Sequence, residues 1–83
     1  MNRITHQGKA PSRANATHAL LVKAQNYLQK KELLMAQAIY ERILRSDTSH
    51  LVARRNMGAT LVEQDKLEQA LTHYKLALKY HPN

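Results

Sequence analysis

Residues 51–82 read LVARRNMGATLVEQDKLEQALTHYKLALKYHP, and this stretch decides the fold. Apolar residues recur in it at intervals of three and four positions, which is the period of an amphipathic α-helix. The recurrence breaks at the polar pair Gln64 and Asp65 and stops at Pro82, which cannot continue a helix. The stretch therefore predicts two helices joined by a short turn.

The same pattern occurs earlier in the chain. Residues 17–49 align with residues 51–83 at a constant shift of 34 positions. A recurrence of this length is typical of stacked helix pairs, so the sequence predicts an all-α fold of two tandem helix-turn-helix hairpins within residues 16–83. Repeat one covers about 17–50, and repeat two covers the remainder. The matched pairs are Ala19 and Ala53, Leu33 and Leu67, Ala36 and Ala70, Tyr40 and Tyr74, and Leu44 and Leu78.

The second repeat carries a recognisable spacing, with Gly58, Ala70, Tyr74, Ala77 and Pro82 in one frame. At these positions the chain resembles the tetratricopeptide repeat (TPR) family. The resemblance implies a fragment of a right-handed α-solenoid that binds other proteins. It also implies that the small residues let the two helices of a hairpin approach closely, while the tyrosine fills the space beside them.

Six positions depart from the family pattern, three of them being Leu20, Lys23 and Thr48 in the first repeat. Arg54 stands where the family has an aromatic residue near the start of its first helix, and Lys31 and Asp65 stand where it has a glycine between the helices. Side chains of Ser46, Asp47, Thr48 and Ser49 are expected to cap the third helix, because hydroxyl and carboxylate groups accept hydrogen bonds from a helix N-terminus.

The N-terminal segment is basic and contains little to bury. Residues 1–15 are predicted to form a flexible tail, with the first helix beginning at Thr17. The net charge of the chain is +7, and no acidic residue precedes Glu32. Unopposed cations favour an alternative function, binding to nucleic acid or an anionic surface, although they also serve solubility. They are Arg3, Lys9, Arg13, Lys23, Lys30 and Lys31.

No motif for catalysis, metal binding or cofactor binding is present in the sequence. The chain has no cysteine, and its two glycines are too far apart for a phosphate-binding loop. None of its five histidines has a metal-ligand spacing. The carboxylates of Glu63, Asp65 and Glu68 are most simply surface charges at a hairpin turn. We expect no enzyme activity and no cofactor.

The TPR resemblance implies a binding groove lined by the first helix of each hairpin, which holds a peptide or a helix. This candidate groove is mostly apolar with one cation, Arg55, which suits an amphipathic segment carrying an acid. The alternative is that its apolar residues pack on the tail or on neighbouring helices. The candidate groove consists of His18, Leu21, Gln25, Leu28, Arg55, Ala59 and Val62.

A second candidate surface is the outer face of the last helix, which consists of Leu67, Leu71, Tyr74 and Leu78. Stacked repeats normally cover such a face with a further repeat or a polar cap. We expect self-association as a homodimer, another subunit, or the remainder of a larger protein to cover it.

Together these patterns predict a non-enzymatic adaptor or assembly factor whose partner is another protein or peptide. Residues 53–71 are similar to repeats in Gram-negative bacterial proteins of pilus biogenesis and secretion. No apolar run is long enough to span a membrane, and no leader precedes the repeats, so a cytoplasmic location is expected.

Overall fold

The computed structural model describes residues 12–82, and this part of the chain is all-α without a strand. Four helices follow one another: α1 (Arg13–Gln29), α2 (Leu33–Ser46), α3 (Leu51–Glu63) and α4 (Leu67–Tyr80). Each helix packs against the next one along the chain. The predicted fold class and the predicted number of helices are confirmed. None of these four helices has the length and apolar character needed to cross a bilayer.

Helix α1 begins four residues before its expected start at Thr17. Ser12 is its N-cap, and the Ser12 hydroxyl accepts a hydrogen bond of 3.1 Å from the backbone N–H of Asn15. A serine in this role satisfies one of the free N–H groups of the first turn, so the helix extends back through Arg13. Residues 13–15 of the expected tail are therefore helical, and residues 1–11 lie outside the described part of the chain.

Helix α3 is capped by a residue other than those expected. The cap is His50, whose Nδ1 accepts a hydrogen bond of 3.2 Å from the backbone N–H of Ala53. Asp47 instead organises the preceding turn, because its carboxylate accepts from both the backbone N–H and the hydroxyl of Ser49. The prediction of a cap from residues 46–49 was wrong, since these residues precede the cap position by one to four residues.

The two hairpin turns share one geometry, 34 residues apart. The N–H of Glu32 donates to the carbonyl of Tyr27, and the N–H of Lys66 donates to the carbonyl of Leu61, both at 2.9 Å. Between the helices, Lys31 has a φ of 61° and Asp65 a φ of 62°. This hydrogen-bond pattern with a left-handed residue is the Schellman motif, in which glycine is preferred because it has no Cβ.

Lys31→Gly is expected to stabilise the protein by about 1 kcal/mol, because a side chain costs more than glycine in the left-handed region. In a domain of this size that corresponds to a rise in Tm of roughly 4–8 °C, measurable by thermal unfolding. Lys31→Ala is the matched control: it removes the 3.6 Å ion pair with Glu63 but leaves the strained backbone. A rise in Tm with Lys31→Ala equal to that with Lys31→Gly would contradict the backbone explanation.

The core lies between the hairpins, with Tyr40 of α2 at its centre. Tyr40 and Leu61 are completely buried and Ile43 nearly so, and small alanines let the helices approach around them. Leu20, Leu21, Tyr27, Leu28 and Ile39 pack against this core from its edge. The core residues are Ala24, Ala36, Tyr40, Ile43, Leu44, Ala53, Met57, Leu61 and Ala70.

Gly58 packs directly against Tyr74 in the second hairpin. A Cβ built on Gly58 would lie 2.8 Å from Cζ and 2.9 Å from Cε1 of the Tyr74 ring, closer than van der Waals contact permits. The ring therefore occupies the volume that any other residue at position 58 would need. This contact explains why α3 carries a glycine in its interior despite a cost of about 1 kcal/mol relative to alanine.

Candidate functional site

The structure brings three of the seven candidate groove residues together. Leu28 near the end of α1 and Ala59 and Val62 near the end of α3 line one cavity of about 260 Å³. Thr60, Glu63 and Tyr74 of α4 complete its wall. Helices α1 and α3 thus share an apolar depression close to the hairpin turns.

The other candidate groove residues lie elsewhere. His18 and Leu21 line a separate cavity of about 470 Å³ near the start of α1, together with His50. Arg55 lines a third cavity, and Gln25 is exposed on α1. The candidate groove is therefore divided among several depressions instead of forming one continuous channel through these residues.

The cavity at Arg55 lies between α3 and α4. It has a volume of about 400 Å³, and Arg55, Tyr74, Leu78 and His81 are among its lining residues. Tyr74 also lines the cavity at Leu28, so this one ring forms a wall of both depressions. The sequence placed Tyr74 on the outer face of α4 and, through the TPR resemblance, beside the small residues of its hairpin; it did not place Tyr74 in the groove.

Charges are distributed unevenly around these two cavities. Val62 and Glu63 are at one end of α3, and Arg55 is seven residues before Val62, about 10 Å along the helix axis. Lys31 partly neutralises Glu63 at 3.6 Å. A segment that extends from the apolar cavity past Tyr74 to the cavity at Arg55 would therefore meet a compensated acid at one end and an exposed cation at the other.

The outer face of α4 is exposed, as its four residues show. Leu67 is 58% exposed, Leu71 52%, Tyr74 37% and Leu78 64%. These are large apolar side chains in one stripe, since residues at intervals of three, four and seven share one face of a helix. The structure thus leaves a continuous apolar strip on α4 in contact with solvent.

The sequence did not predict one polar cluster, which is formed by Arg54 and His73. Arg54 is only 8% exposed, and its guanidinium donates to the backbone carbonyl of Thr48 and, at 3.2 Å, to Nδ1 of His73. Because arginine can only donate, Nδ1 of His73 must be an acceptor and its ring neutral. Arg54 and His73 line a cavity of about 400 Å³ together with Glu41 and Arg45. The one available signal was a cation at a position where the repeat pattern places an aromatic residue.

Burial lowers the pKa of His73, and the neighbouring Arg54 lowers it further, while Glu41 opposes both effects. A histidine whose pKa is lower in the folded state than in the unfolded state binds fewer protons when folded. Stability is therefore full above the ordinary pKa of about 6.5 and is lost as the pH falls through the folded-state value.

We expect acidification from pH 7.5 to pH 5.5 to destabilise the protein, because a protonated His73 would lose its hydrogen bond with Arg54 and repel it. His73→Asn is the matched variant: its amide oxygen can accept from Arg54 without titrating. Urea unfolding at both pH values should show that His73→Asn, which keeps the other histidines, loses less free energy of unfolding on acidification than the wild-type chain. An equal loss in both proteins would assign the pH dependence to another group.

The basic residues singled out in the sequence do not form one patch where they are described. Arg3 and Lys9 lie outside the described residues. Arg13 and Lys30 are exposed but stand at opposite ends of the 17-residue helix α1, about 25 Å apart. Within residues 12–82, no three His, Asp or Glu side chains lie close enough together to hold a metal ion.

Comparisons with known proteins add no relative. The chain matches no protein-family model, and neither a curated protein nor a solved structure is significantly similar to it.

Proposed function

We propose that this chain is a protein-interaction module of the tetratricopeptide type, whose partner is a short amphipathic segment of another protein. The observation that carries the proposal is the apolar cavity where Leu28 of α1 meets Ala59 and Val62 of α3. A cleft between helices with apolar walls and few polar groups is the usual form of a peptide-binding site. Arg55 on the same helix would bind an acidic residue of the segment.

The repeated geometry of the two hairpins supports the tetratricopeptide assignment. Both turns contain a left-handed residue, Lys31 and Asp65, at the positions where the family has glycine. In the second hairpin a small residue also packs against a tyrosine, since Gly58 contacts the Tyr74 ring. Stacked hairpins of this kind act by presenting surfaces, so an adaptor or assembly role follows more directly than catalysis.

A non-catalytic role agrees with the surroundings of the carboxylates. Glu63, Asp65 and Glu68 are all exposed, and Glu63 pairs with Lys31. We therefore treat these three carboxylates as surface charges and give them no part in the proposed function.

Val62→Asp is expected to weaken peptide binding by about tenfold or more, because it places a carboxylate in the apolar cavity. Val52→Asp is a closely matched control, since both valines are on α3 and both are 45% exposed. The probe is a set of peptides selected on the wild-type chain from a displayed random library. The selected peptides should combine apolar residues with an acid, and Arg55→Ala should relax the requirement for the acid.

Two outcomes would contradict the proposal. One is selected peptides that bind the Val62→Asp and Val52→Asp variants equally well. The other is binding of nucleic acid that weakens steeply with salt, while no peptide is selected; this result would favour the basic N-terminal segment as the functional element.

A further inference from the structure

We propose that a second copy of this chain covers the outer face of α4, with the two α4 helices antiparallel about a twofold axis. The proposal does not depend on the peptide cavity, although Tyr74 belongs to both surfaces. The outer face of α4 is the exposed strip formed by Leu67, Leu71, Tyr74 and Leu78.

The first argument is that the same fold already buries the equivalents of two of these four residues. Tyr40 and Leu44 of α2 stand 34 positions before Tyr74 and Leu78. They are 0% and 7% exposed, whereas their counterparts on α4 are 37% and 64% exposed. Helix α3 covers the face on α2, so a surface of this shape is suited to receiving another helix.

The second argument concerns the surface of α1 at the opposite end of the molecule, which is not complementary to the apolar face on α4. Met57 of α3 lies beside Leu44 of α2, where both line one cavity and both are buried. The counterpart of Met57 on α1 is Lys23, which is exposed. Head-to-tail stacking of copies would press the ammonium of Lys23 against apolar residues, at a large desolvation cost. Like faces must therefore meet, and an interface between like faces is closed and twofold.

The third argument is the charge pattern beside the strip, which selects the antiparallel orientation. Glu68, Lys75 and Lys79 are exposed and lie on the same flank of α4, since residues seven and eleven positions apart differ by only about 20° around a helix. In an antiparallel pair each flank faces the same flank of the partner, whereas in a parallel pair it faces the opposite flank.

Pairing Leu67 with Leu78 and Leu71 with Tyr74 across the axis gives a register for the antiparallel pair. In this register Glu68 of one copy lies opposite position 77 of the other, between Lys75 and Lys79. The carboxylate of Glu68 therefore attracts the two lysines of the partner copy, and symmetry repeats this attraction on the other side of the twofold axis. A parallel pair would gain nothing from these charges.

The test is sedimentation equilibrium of the full 83-residue chain and its charge variants. We expect the wild-type chain to dimerise. Glu68→Lys makes the flank entirely basic, and the double variant Lys75→Glu with Lys79→Glu makes it entirely acidic. Each alone should raise the dimerisation Kd about tenfold or more, because repulsion replaces attraction at two symmetric sites. An equimolar mixture of the two should form a heterodimer, and the triple variant should recover the wild-type Kd.

A second pair of variants tests the apolar strip. Leu78→Glu should abolish dimerisation, while Leu34→Glu should leave it unchanged, although Leu34 is equally prominent at 69% exposure against 64%. Circular dichroism checks that both variants remain helical. A wild-type chain that is monomeric at every concentration, a Kd unaffected by the charge variants, or a dimer that survives Leu78→Glu would each overturn the proposal.

Discussion

Tyr40→Ala is expected to remove about 4 kcal/mol from the free energy of unfolding, and so to leave much of the protein unfolded at room temperature. Tyr40 is 0% exposed and lies at the centre of the core between the two hairpins. Truncation would lose the transfer free energy of the ring and leave a cavity that rigid neighbouring helices cannot fill. A chain of 83 residues has little stability in reserve, since its core is small.

Tyr74→Ala is the natural comparison, because Tyr74 stands at the equivalent position of the second hairpin. Tyr74 is 37% exposed, so truncation loses less buried surface and leaves no closed cavity, and it is expected to cost less, about 2.5 kcal/mol. Urea unfolding followed by circular dichroism measures both values. Equal losses for the two alanine variants would show that burial in this fold is not the source of the difference.

Tyr40→Phe removes the hydroxyl and keeps the ring, so it measures the contribution of the hydroxyl alone to stability. Burial raises the pKa of Tyr40, and the nearby Asn56 side chain lowers it to a smaller extent. The hydroxyl nevertheless is buried without a hydrogen-bond partner of good geometry. Removing an unsatisfied buried polar group is neutral or favourable, so this variant should change stability by less than about 1 kcal/mol in either direction.

The helices and their order were predictable because their core positions recur with the helical period and again 34 residues later. Ala36 and Ala70 illustrate this, since both are buried at equivalent places. The helix ends were less predictable. Serine is a favoured cap, but Ser12 follows a proline in an otherwise polar segment, and His50 caps α3 with an imidazole nitrogen, which capping preferences do not favour.

The candidate site was predictable only in part, for a related reason. A helical period assigns a residue to a face of its own helix, but the packing of helices decides which faces share a cavity. Leu28 and Val62 were placed in one site from the repeat frame, and they do line one cavity. Arg54 and His73 are 19 residues apart on different helices, and no period relates them, so their contact emerged only in three dimensions.

The effect of Gly58→Ala on the free energy of unfolding is expected to change sign with the residue at position 74. In the wild-type chain the new Cβ would lie 2.8 Å from the Tyr74 ring, and the resulting displacement should cost about 1 kcal/mol net of the gain in helix propensity. In a Tyr74→Ala background the obstacle is gone, and the same substitution should stabilise the protein by about 1 kcal/mol. The coupling between the two sites is then about 2 kcal/mol.

Urea unfolding of the four proteins in this cycle measures the coupling, and a destabilisation of equal size in both backgrounds would contradict it. The first hairpin offers a control, because Ala24 stands at the position equivalent to Gly58 and is completely buried. There a Cβ is already accommodated, so Ala24→Gly should destabilise the protein by about 1 kcal/mol. A preference for alanine at position 24 and for glycine at position 58 would show that glycine is required because the Tyr74 ring lies over α3. The repeat pattern alone would then not be the cause of this requirement.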